Sequence, residues 1–563
     1  MALVHFIVAV MALVGSVAAV TIPEPQPVIK ERAGTSVTIV LPIGTVIGAS
    51  SGGVESYNSI PFAEPPTGNL RLKPPVRKTT FFGVRDGTGP AKACPQFREK
   101  SVIQTPFDPM VPVYYNPFIQ IALEQESEDC LTIDVVRPAG TTLADKLPVL
   151  YWMYGTGFEM GGSSLYNGSL IVAQSIALGK PIVFVTANYR VGGFGFLPGA
   201  EILADGASNL GLLDQRLGLE WTADNIGYFG GDSSKVTIWG ESAGAISVLD
   251  QMVMYDGNNT YNGNALFHGA IMSSGTITPA DPVDCPKGQA IYNQVVSKAG
   301  CAGSVDTLAC LRSADYSTFL DAVNSVPGVL SYRSLALSYL PRPDGNVLTD
   351  SPEVLIGANK YAAVPMIVGD EEDEGTVFSF YLYNITNTDQ FVQYLSTYYF
   401  NSATTDQIKT LVNTYPVDIP SGSPFRTSYL NEAFPGFKRL AAILGDFAFT
   451  LARRVFLTAA NKVNPTVPIF RLYPSGLIWA ATAMALPFRD IRCYFFNFAY
   501  NLDPNSAIGG TSSLASNVTQ NWPQWGVNNQ LVQFNKLSMN LLADTFRASS
   551  YSWISNNIGL LHL

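Results

Sequence analysis

The chain has 563 residues, of which 47% are hydrophobic and 14% are charged, as in globular proteins with a large core. Its formal net charge of −10 argues against a nucleic-acid partner, because such binding depends on clustered Lys and Arg. The sequence has no HExxH motif and no Cys/His spacing typical of metal ligands. We therefore expect neither a metal nor another cofactor.

Residues 1–19 are predicted to be a secretory signal peptide. The apolar run from Phe6 to Val14 is too short to span a bilayer, and Val17-Ala18-Ala19 supplies the small residues that precede a cleavage site. The alternative is an N-terminal anchor helix, which so short a run does not favour. We expect a secreted, soluble, extracellular protein whose mature chain is residues 20–563.

The cysteines and the glycosylation sequons fit an exported protein. Six cysteines in such a chain predict disulfides, which form in oxidising compartments. A short loop lies between Cys301 and Cys310 and a long one between Cys94 and Cys130, while Cys285 and Cys493 either pair or remain buried thiols. Candidate glycan acceptors are the sequon residues Asn167, Asn258, Asn384 and Asn517.

Six short apolar runs alternate with longer stretches that suit helices. Such runs, without polar alternation, are typical of strands buried on both faces of a parallel sheet, which predicts a doubly wound α/β fold. No repeat or linker divides the chain, so we expect one large domain with residues 376–460 as its largest insertion. The predicted strands lie at 148–154, 181–189, 235–239, 269–274, 364–369 and 467–473.

A G-x-S-x-G motif places Ser242 between Gly240-Glu241 and Ala243-Gly244. The predicted strand 235–239 runs directly into the motif, and small residues after it suit the start of a helix. A sharp strand-to-helix turn of this kind exposes its serine, and the flanking glycines avoid collisions with neighbouring backbone. The motif predicts a catalytic nucleophile, and the alternative is an ordinary tight turn with an idle serine.

Several motifs longer than the serine turn lie along the mature chain. They are IPFAEPPTGNLRLKPP (60–75), SEDCLTIDV (127–135), LPVLYWMYGTGFEMGG (147–162), ANYRVGGFGFL (187–197), NIGYFGGDSSKVTIWGESAGA (225–245), DEGT (373–376) and NLDPN (501–505). These motifs resemble the type-B carboxylesterase/lipase family, which includes the cholinesterases and secreted fungal lipases, and the resemblance spans nearly the whole mature chain. It implies an α/β-hydrolase fold and a secreted serine hydrolase that acts on apolar carboxylic esters through an acyl-enzyme at Ser242.

The loop Gly155-Thr156-Gly157-Phe158 matches the family's glycine-rich oxyanion loop. The resemblance implies that backbone N–H groups of Thr156, Gly157 and Ala243 face the carbonyl oxygen of the substrate. Thr156 stands where the family usually has a third glycine. A nucleotide-binding loop is the alternative, but the third glycine of the dinucleotide fingerprint is missing.

The family motif places the triad acid at Glu374, after the predicted strand 364–369 and in the Ser–acid–His chain order of α/β-hydrolases. Local alternatives for the acid are Asp370, Glu371, Glu372 and Asp373.

The family pattern also implies an ion pair between Arg190 and Asp232. Together with the loop spacing and the export of the protein, the family pattern predicts the disulfides Cys94–Cys130 and Cys301–Cys310.

The triad histidine is missing from its expected position. It should follow 467–473, taken to be the last strand, yet residues 474–505 contain no histidine. His5 lies in the signal peptide, His268 precedes the acid in the chain, and His562 is the penultimate residue, so none is expected to serve Ser242. The chain is therefore either an inactive relative or an incomplete version of an active enzyme, such as the product of a mis-joined transcript.

The loop between Cys94 and Cys130 bears on the substrate. In lipase-like members the matching loop is a lid over an apolar acyl tunnel, and an apolar loop of this kind would contact a lipid interface. The alternative is a loop packed permanently on the body.

The loop between Cys94 and Cys130 contains no Trp that could hold a quaternary ammonium group, so choline esters are not expected. A small-molecule or lipid ester is the expected partner, and a non-catalytic binding protein on the same fold is the competing function. The apolar residues that the loop carries include Phe97, Phe107, Met110, Tyr114, Tyr115, Phe118 and Ile119.

Overall fold

A 13-stranded sheet forms the centre of the molecule in a computed structural model that describes residues 35–98, 125–474, 489–505, 521–534 and 539–563. Its strand order is β1-β2-β3-β5-β7-β6-β8-β11-β12-β13-β14-β15, and β4 pairs with β2. The strands of this sheet are β1 Thr35–Leu41, β2 Gly44–Ser51, β3 Val54–Pro61, β4 Val84–Asp86, β5 Thr132–Pro138, β6 Leu147–Met153, β7 Val183–Ala187, β8 Gly231–Glu241, β11 Gly269–Ser273, β12 Met366–Gly369, β13 Ile469–Pro474, β14 Gln530–Phe534 and β15 Met539–Ala543. A separate small hairpin consists of β9 Thr260–Tyr261 and β10 Asn264–Ala265.

The six predicted strands are neighbours in this sheet and run parallel to one another, as β7, β6, β8, β11, β12 and β13. Strands β6 and β7 are buried along almost their whole length, as expected for a parallel sheet covered on both faces. The sequence-based prediction of an α/β fold with a mostly parallel centre is therefore confirmed.

The strands at both edges were not predicted. Strands β1, β2, β3 and β5 form an antiparallel series that joins the parallel centre through β5 and β7. At the other edge β14 runs parallel to β13, and β15 returns antiparallel to it. The prediction that 467–473 is the last strand is wrong, because β14 and β15 extend the sheet beyond it.

Helices cover both faces of the parallel centre and build the insertion after β12. No helix among the described residues is long and apolar enough to cross a membrane. The helices are α1 Gly168–Ala177, α2 Gly192–Gly195, α3 Ala200–Ala204, α4 Leu210–Asn225, α5 Ala243–Gly257, α6 Pro286–Lys298, α7 Thr307–Ser313, α8 Tyr316–Val323, α9 Pro352–Gly357, α10 Thr376–Ser379, α11 Thr388–Tyr398, α12 Thr405–Asn413, α13 Phe437–Gly445, α14 Leu451–Val463, α15 Arg489–Asn501, α16 Trp525–Asn528 and α17 Ala548–Asn557. A π-helical turn, Asp446–Thr450, joins α13 to α14.

Both expected disulfides are present in the structure. Cys94 is bonded to Cys130 and Cys301 to Cys310. Cys285 and Cys493 are separate buried thiols, which answers the question that the sequence left open. The first disulfide closes the base of the loop between β4 and β5, and the second ties the end of α6 to α7.

Candidate active site

Ser242 occupies a sharp turn between β8 and α5, with φ 55° and ψ −124°. A serine rarely adopts this conformation, which costs on the order of 1–3 kcal/mol and persists only where the surroundings impose it. The Ser242 N–H donates to the Ser273 carbonyl at 2.8 Å and anchors the turn to neighbouring strand β11. Close packing leaves room only for glycine on either side. A Cβ on Gly240 would lie 2.2 Å from the Gly244 carbonyl oxygen, and one on Gly244 would lie 2.1 Å from that of Met153.

Glu374 lies in the loop between β12 and α10, one strand beyond β11. Its Oε1 accepts the Glu371 N–H at 2.7 Å, and the Ser274 side chain lies close enough to its carboxyl to favour the charged form. Ser274 follows Ser273, the residue that anchors the serine turn. The predicted nucleophile and the predicted acid are therefore connected through two adjacent residues at the end of β11.

Several carboxyl groups share this region, and their pKa values are raised. Burial raises the pKa of Glu374 to about 8, with a further contribution from the negative charge of Asp370. Burial alone raises the pKa of Glu241, the residue before Ser242, to about 7. Burial, followed by the charge of Glu374, raises the pKa of Glu371 well above its usual value. Each of these groups therefore keeps its proton to a higher pH than an exposed carboxyl does.

Three of the alternative acids are engaged elsewhere. Asp370 is buried and forms an ion pair with Arg453, whose Nε lies 2.6 Å from Asp370 Oδ1. Glu372 pairs with Arg426. The Asp373 carboxylate accepts the Phe425 N–H and the hydroxyl of Ser423, both at 2.8 Å. The other two carboxyls of this loop, Glu374 and Glu371, lie near enough to Glu241, the residue before Ser242, for its charge to raise their pKa values.

The predicted oxyanion loop, residues 155–158, follows β6 and lies against the serine turn. A Cβ on Gly155 would lie 2.9 Å from the Ser242 Cβ and 2.4 Å from the Glu241 carbonyl oxygen. Thr156, Gly157 and Phe158 all have positive φ, of 75°, 69° and 60°. Within the described residues, the N–H groups of Thr156 and Gly157 donate no hydrogen bond. Ala243 begins α5, where a backbone N–H has no partner inside the helix.

Sequence reasoning missed Glu159, which directly follows this strained loop. Its side chain is fully buried, and its Oε2 accepts the Val329 N–H at 2.9 Å. The signal that the sequence offered was an acidic residue directly after the Gly-x-Gly-Phe sequence. Its partner, 170 residues away, was not predictable from that signal.

His268 lies at the wrong end of the sheet to act on Ser242. Its N–H donates to the Val236 carbonyl at 2.8 Å, so it is level with the beginning of the buried part of β8. Ser242 follows Val236 by six residues, which corresponds to about 20 Å along a strand. The imidazole is therefore far outside hydrogen-bond reach of the serine.

His562 is held between two carboxylates. Its Nε2 lies 2.8 Å from Glu353 Oε1 and its Nδ1 lies 3.3 Å from Asp281 Oδ1. Burial lowers the pKa of this imidazole, but the two carboxylates outweigh burial and raise it to about 9. A protonated ring with both nitrogens occupied cannot accept a proton from serine. His5 and residues 475–488, where the triad histidine was expected, lie outside the described residues.

The predicted Arg190–Asp232 ion pair is wrong. Arg190 instead forms a bidentate pair with Asp214 of α4, at 2.8 and 2.7 Å, and its backbone N–H donates to the same carboxylate. Asp232 pairs with nearby Lys235 at 3.5 Å. Arg190 follows the carboxyl end of β7, whereas Asp232 lies at the beginning of β8. Because both strands run parallel to β6, the two residues are at opposite edges of the sheet.

The predicted lid and glycan sites are described in part. Residues 99–124 of the loop between Cys94 and Cys130 lie outside the described residues, and Phe97 at its base is buried against Tyr339. The lid and its lipid contact thus remain predictions. Asn167, Asn258 and Asn384 are exposed, whereas Asn517 lies outside the described residues.

Comparison with known proteins gives the same family as the motifs. The model of the family described as "Carboxylesterase family" matches residues 35–434. The chain is 50% identical to "Secreted lipase 1" of Botryotinia fuckeliana, with 98% of each chain covered. It is also 50% identical to "Secreted triacylglycerol lipase LIP1" of Gibberella zeae, covering 95% of this chain and 92% of the relative.

The solved structure of Aspergillus niger EstA has the same fold. It superposes with a TM-score of 0.76 at 24% identity and covers 94% of this chain and 99% of its own. The alignment with "Secreted lipase 1" spans 574 positions, more than the 563 residues of this chain, so that relative has residues that this chain lacks. The chain therefore belongs to the carboxylesterase family, as a secreted carboxylic ester hydrolase.

Proposed function

We propose that Ser242 is the nucleophile of a lipase-like hydrolase of apolar esters, with Glu374 as the triad acid. The observation that carries this proposal is the strained serine turn, whose N–H is bonded to Ser273 while adjacent Ser274 contacts Glu374. A strained backbone at an exposed serine is typical of nucleophile turns. The neighbouring strained loop supplies N–H groups of Thr156 and Gly157, and Ala243 supplies a third.

The reaction requires a base that takes the proton of Ser242. The serine Oγ attacks the ester carbonyl carbon, the three N–H groups stabilise the oxyanion, and the alcohol leaves with a proton from the base. Water then releases the acid from the acyl-enzyme. In the complete triad an imidazole carries these protons and Glu374 orients the ring. Neither His268 nor His562 is placed to do so.

The 563-residue chain is therefore proposed to be an impaired version of an active enzyme. Ser242, Glu374 and the oxyanion loop all persist, whereas decay under relaxed selection is expected to alter them too. The relative that contains additional residues supports the loss of a segment. Residues 474–505 are the expected place, because the family's histidine segment lies between a proline like Pro487 and the NLDPN motif at 501–505. Sequencing the transcript that encodes residues 474–500 tests this explanation directly.

The expected substrates are esters with medium or long acyl chains. The Cys94–Cys130 loop is rich in aromatic side chains and contains no Trp, and the Gibberella zeae relative is called a triacylglycerol lipase. In a form that contains the histidine, rates on a series of p-nitrophenyl esters should rise or hold beyond acetate. A steep fall beyond acetate, or rapid turnover of choline esters, would contradict a lipase-like acyl tunnel.

The chain as it stands should hydrolyse activated esters orders of magnitude more slowly than an intact relative. Without one triad member, catalysis of only ~10³–10⁴-fold over water remains, from the oxyanion hole and binding. Ser242→Ala should then change the rate little in a burst assay with an activated ester. Rapid stoichiometric labelling of Ser242 by an organophosphate would show that another group acts as the base. No ester hydrolysis even after the missing segment is restored would favour the competing function, a non-catalytic binding protein.

A further inference from the structure

The oxyanion loop is covered by a long irregular connection between α8 and α9, residues 324–351. Val329 of this connection packs directly on Gly157, since a Cβ on that glycine would lie 3.4 Å from the Val329 side chain. Val329 and its neighbour Leu330 are buried. A displacement of this connection would therefore change the packing on the oxyanion loop beneath it.

Glu159 connects these two segments. Its Oε2 accepts the Val329 N–H at 2.9 Å, and its own N–H donates to the Thr156 carbonyl at 3.2 Å. Its carbonyl accepts the Phe97 N–H at 2.9 Å, at the base of the disulfide-closed loop. One buried residue thus links the oxyanion loop, the covering connection and the base of the Cys94–Cys130 loop.

The oxyanion loop needs such support because of its backbone conformation. Three consecutive residues, Thr156 to Phe158, have positive φ, and two of them carry side chains that disfavour it. A loop of this kind keeps its shape only when its surroundings impose it. On one side the Phe158 carbonyl accepts the Gly192 N–H at 2.7 Å, and on the other Val329 rests on Gly157.

We propose that Glu159 is a positioning residue for the oxyanion hole. By holding Val329 against Gly157, its carboxylate keeps the N–H groups of Thr156 and Gly157 directed at the substrate carbonyl. The inference rests on the proposed function, because it assumes that these N–H groups bind the oxyanion. Glu159 does not touch the reacting atoms, so its effect is on the geometry of the donors.

The test uses Glu159→Ala, Glu159→Gln and a matched control, Asp344→Asn, in the full chain. Asp344 lies in the same covering connection and accepts backbone N–H groups of Asn346, Val347 and Leu348 and the side-chain amide of Asn209, and none of these partners belongs to the loop 155–158. Two properties are measured: amide hydrogen exchange by mass spectrometry, and kcat and KM for the residual hydrolysis of a p-nitrophenyl ester. Residual hydrolysis suits the purpose, because without the histidine it depends on the oxyanion hole.

Glu159→Ala should accelerate exchange in peptides that contain residues 158–161 and 327–331, with strand β6 unchanged. It should lower kcat about 10- to 100-fold at an unchanged KM, because complete removal of one oxyanion donor costs about 10²–10³-fold and a displaced donor costs less. Glu159→Gln, which keeps an acceptor oxygen for the Val329 N–H, should show a smaller effect. The control should resemble the parent chain in both measurements.

Unchanged local exchange in a folded Glu159→Ala protein would overturn the inference, as would faster exchange with an unchanged kcat. If the alanine variant does not fold, the glutamine variant decides by the same two measurements. A parent chain without hydrolysis above buffer would count against the proposed function, and the exchange result alone would then decide this inference.

Discussion

Ser242 and Glu374 owe their properties to different causes. The conformation of Ser242 is imposed by glycines that permit close backbone contacts and by a hydrogen bond to β11, all within a short motif. The pKa of Glu374 is raised to about 8 by burial first and by Asp370 second. The motif could be recognised in the sequence, but the protonation state of the acid depends on residues that only the fold brings together.

The raised pKa of Glu374 predicts a pH-dependent effect of Glu374→Gln on stability. The folded pKa of about 8 exceeds the ordinary value of 4.5, so the folded protein keeps a proton that the unfolded chain loses between these pH values. The contribution of the Glu374 carboxyl to the free energy of unfolding is complete below pH 4.5 and is lost as the pH rises through about 8. Glutamine cannot ionise and avoids this loss.

We therefore expect Glu374→Gln to be more stable than the parent at pH 8, on the order of 1–3 kcal/mol, with the difference vanishing near pH 4.5. Urea denaturation across this pH range measures it. Glu241→Gln is the comparison, because the pKa of Glu241 is also raised, to about 7. A difference that stays constant with pH would show that Glu374 is not a buried, protonated acid.

At the scale of elements, strand direction decides which residues meet. The NYR segment with Arg190 follows the carboxyl end of β7, the same edge of the sheet at which Ser242 and Glu374 lie. Helix α4 returns past this edge and brings Asp214 to Arg190, whereas Asp232 enters β8 at the opposite edge. The family pattern suggested that Arg190 pairs with an aspartate, but which aspartate it meets depends on the path of helix α4.

Replacing Arg190 should destabilise the protein strongly, while replacing Asp232 should not. Asp214 is fully buried, and Arg190→Ala leaves its charge uncompensated, which typically costs about 3–5 kcal/mol. Asp232 pairs with a half-exposed lysine, and Asp232→Ala should change stability by no more than about 1 kcal/mol. Chemical denaturation of both variants provides the measurement. Equal effects would contradict the assignment of Asp214 as the partner.

At the scale of the whole molecule, the last described residues pack back onto the loop that follows β11. The Leu563 N–H donates to the Pro279 carbonyl, and the Arg342 side chain donates to the Leu563 carbonyl at 2.8 Å. His562 lies between Asp281 of that loop and Glu353 of α9. The positive groups that share this region are Lys287 and Arg342. His562 is therefore a structural cation.

His562→Gln should destabilise the protein more at pH 6 than at pH 10. The folded pKa of the imidazole, about 9, is above its ordinary value of 6.5. The stability that it contributes is therefore full below pH 6.5 and is lost as the pH rises through about 9. We expect a loss on the order of 1–3 kcal/mol at pH 6, measured by thermal or urea unfolding. An equal loss at both pH values would contradict the ion pairs.

The sequence by itself determined the parallel centre of the sheet, the serine turn, the acid loop and the family, because each is encoded in a contiguous run of residues. Apolar runs predicted β6, β7, β8, β11, β12 and β13, and glycine spacing predicted the turn at Ser242. The other strands were missed because polar residues interrupt their apolar runs, even in β5 and β14, which are mostly buried.

Only the tertiary structure decided which distant residues meet: Arg190 with Asp214, Glu159 with Val329, and His562 with two carboxylates. It also separated Glu374 from three of the four acids before it, Asp370, Glu372 and Asp373, which contact Arg453, Arg426 and Phe425. The physical reason is that such contacts depend on the edge of the sheet at which each strand ends and on the paths of the connections between them. These properties belong to the whole chain and are not contained in any single motif.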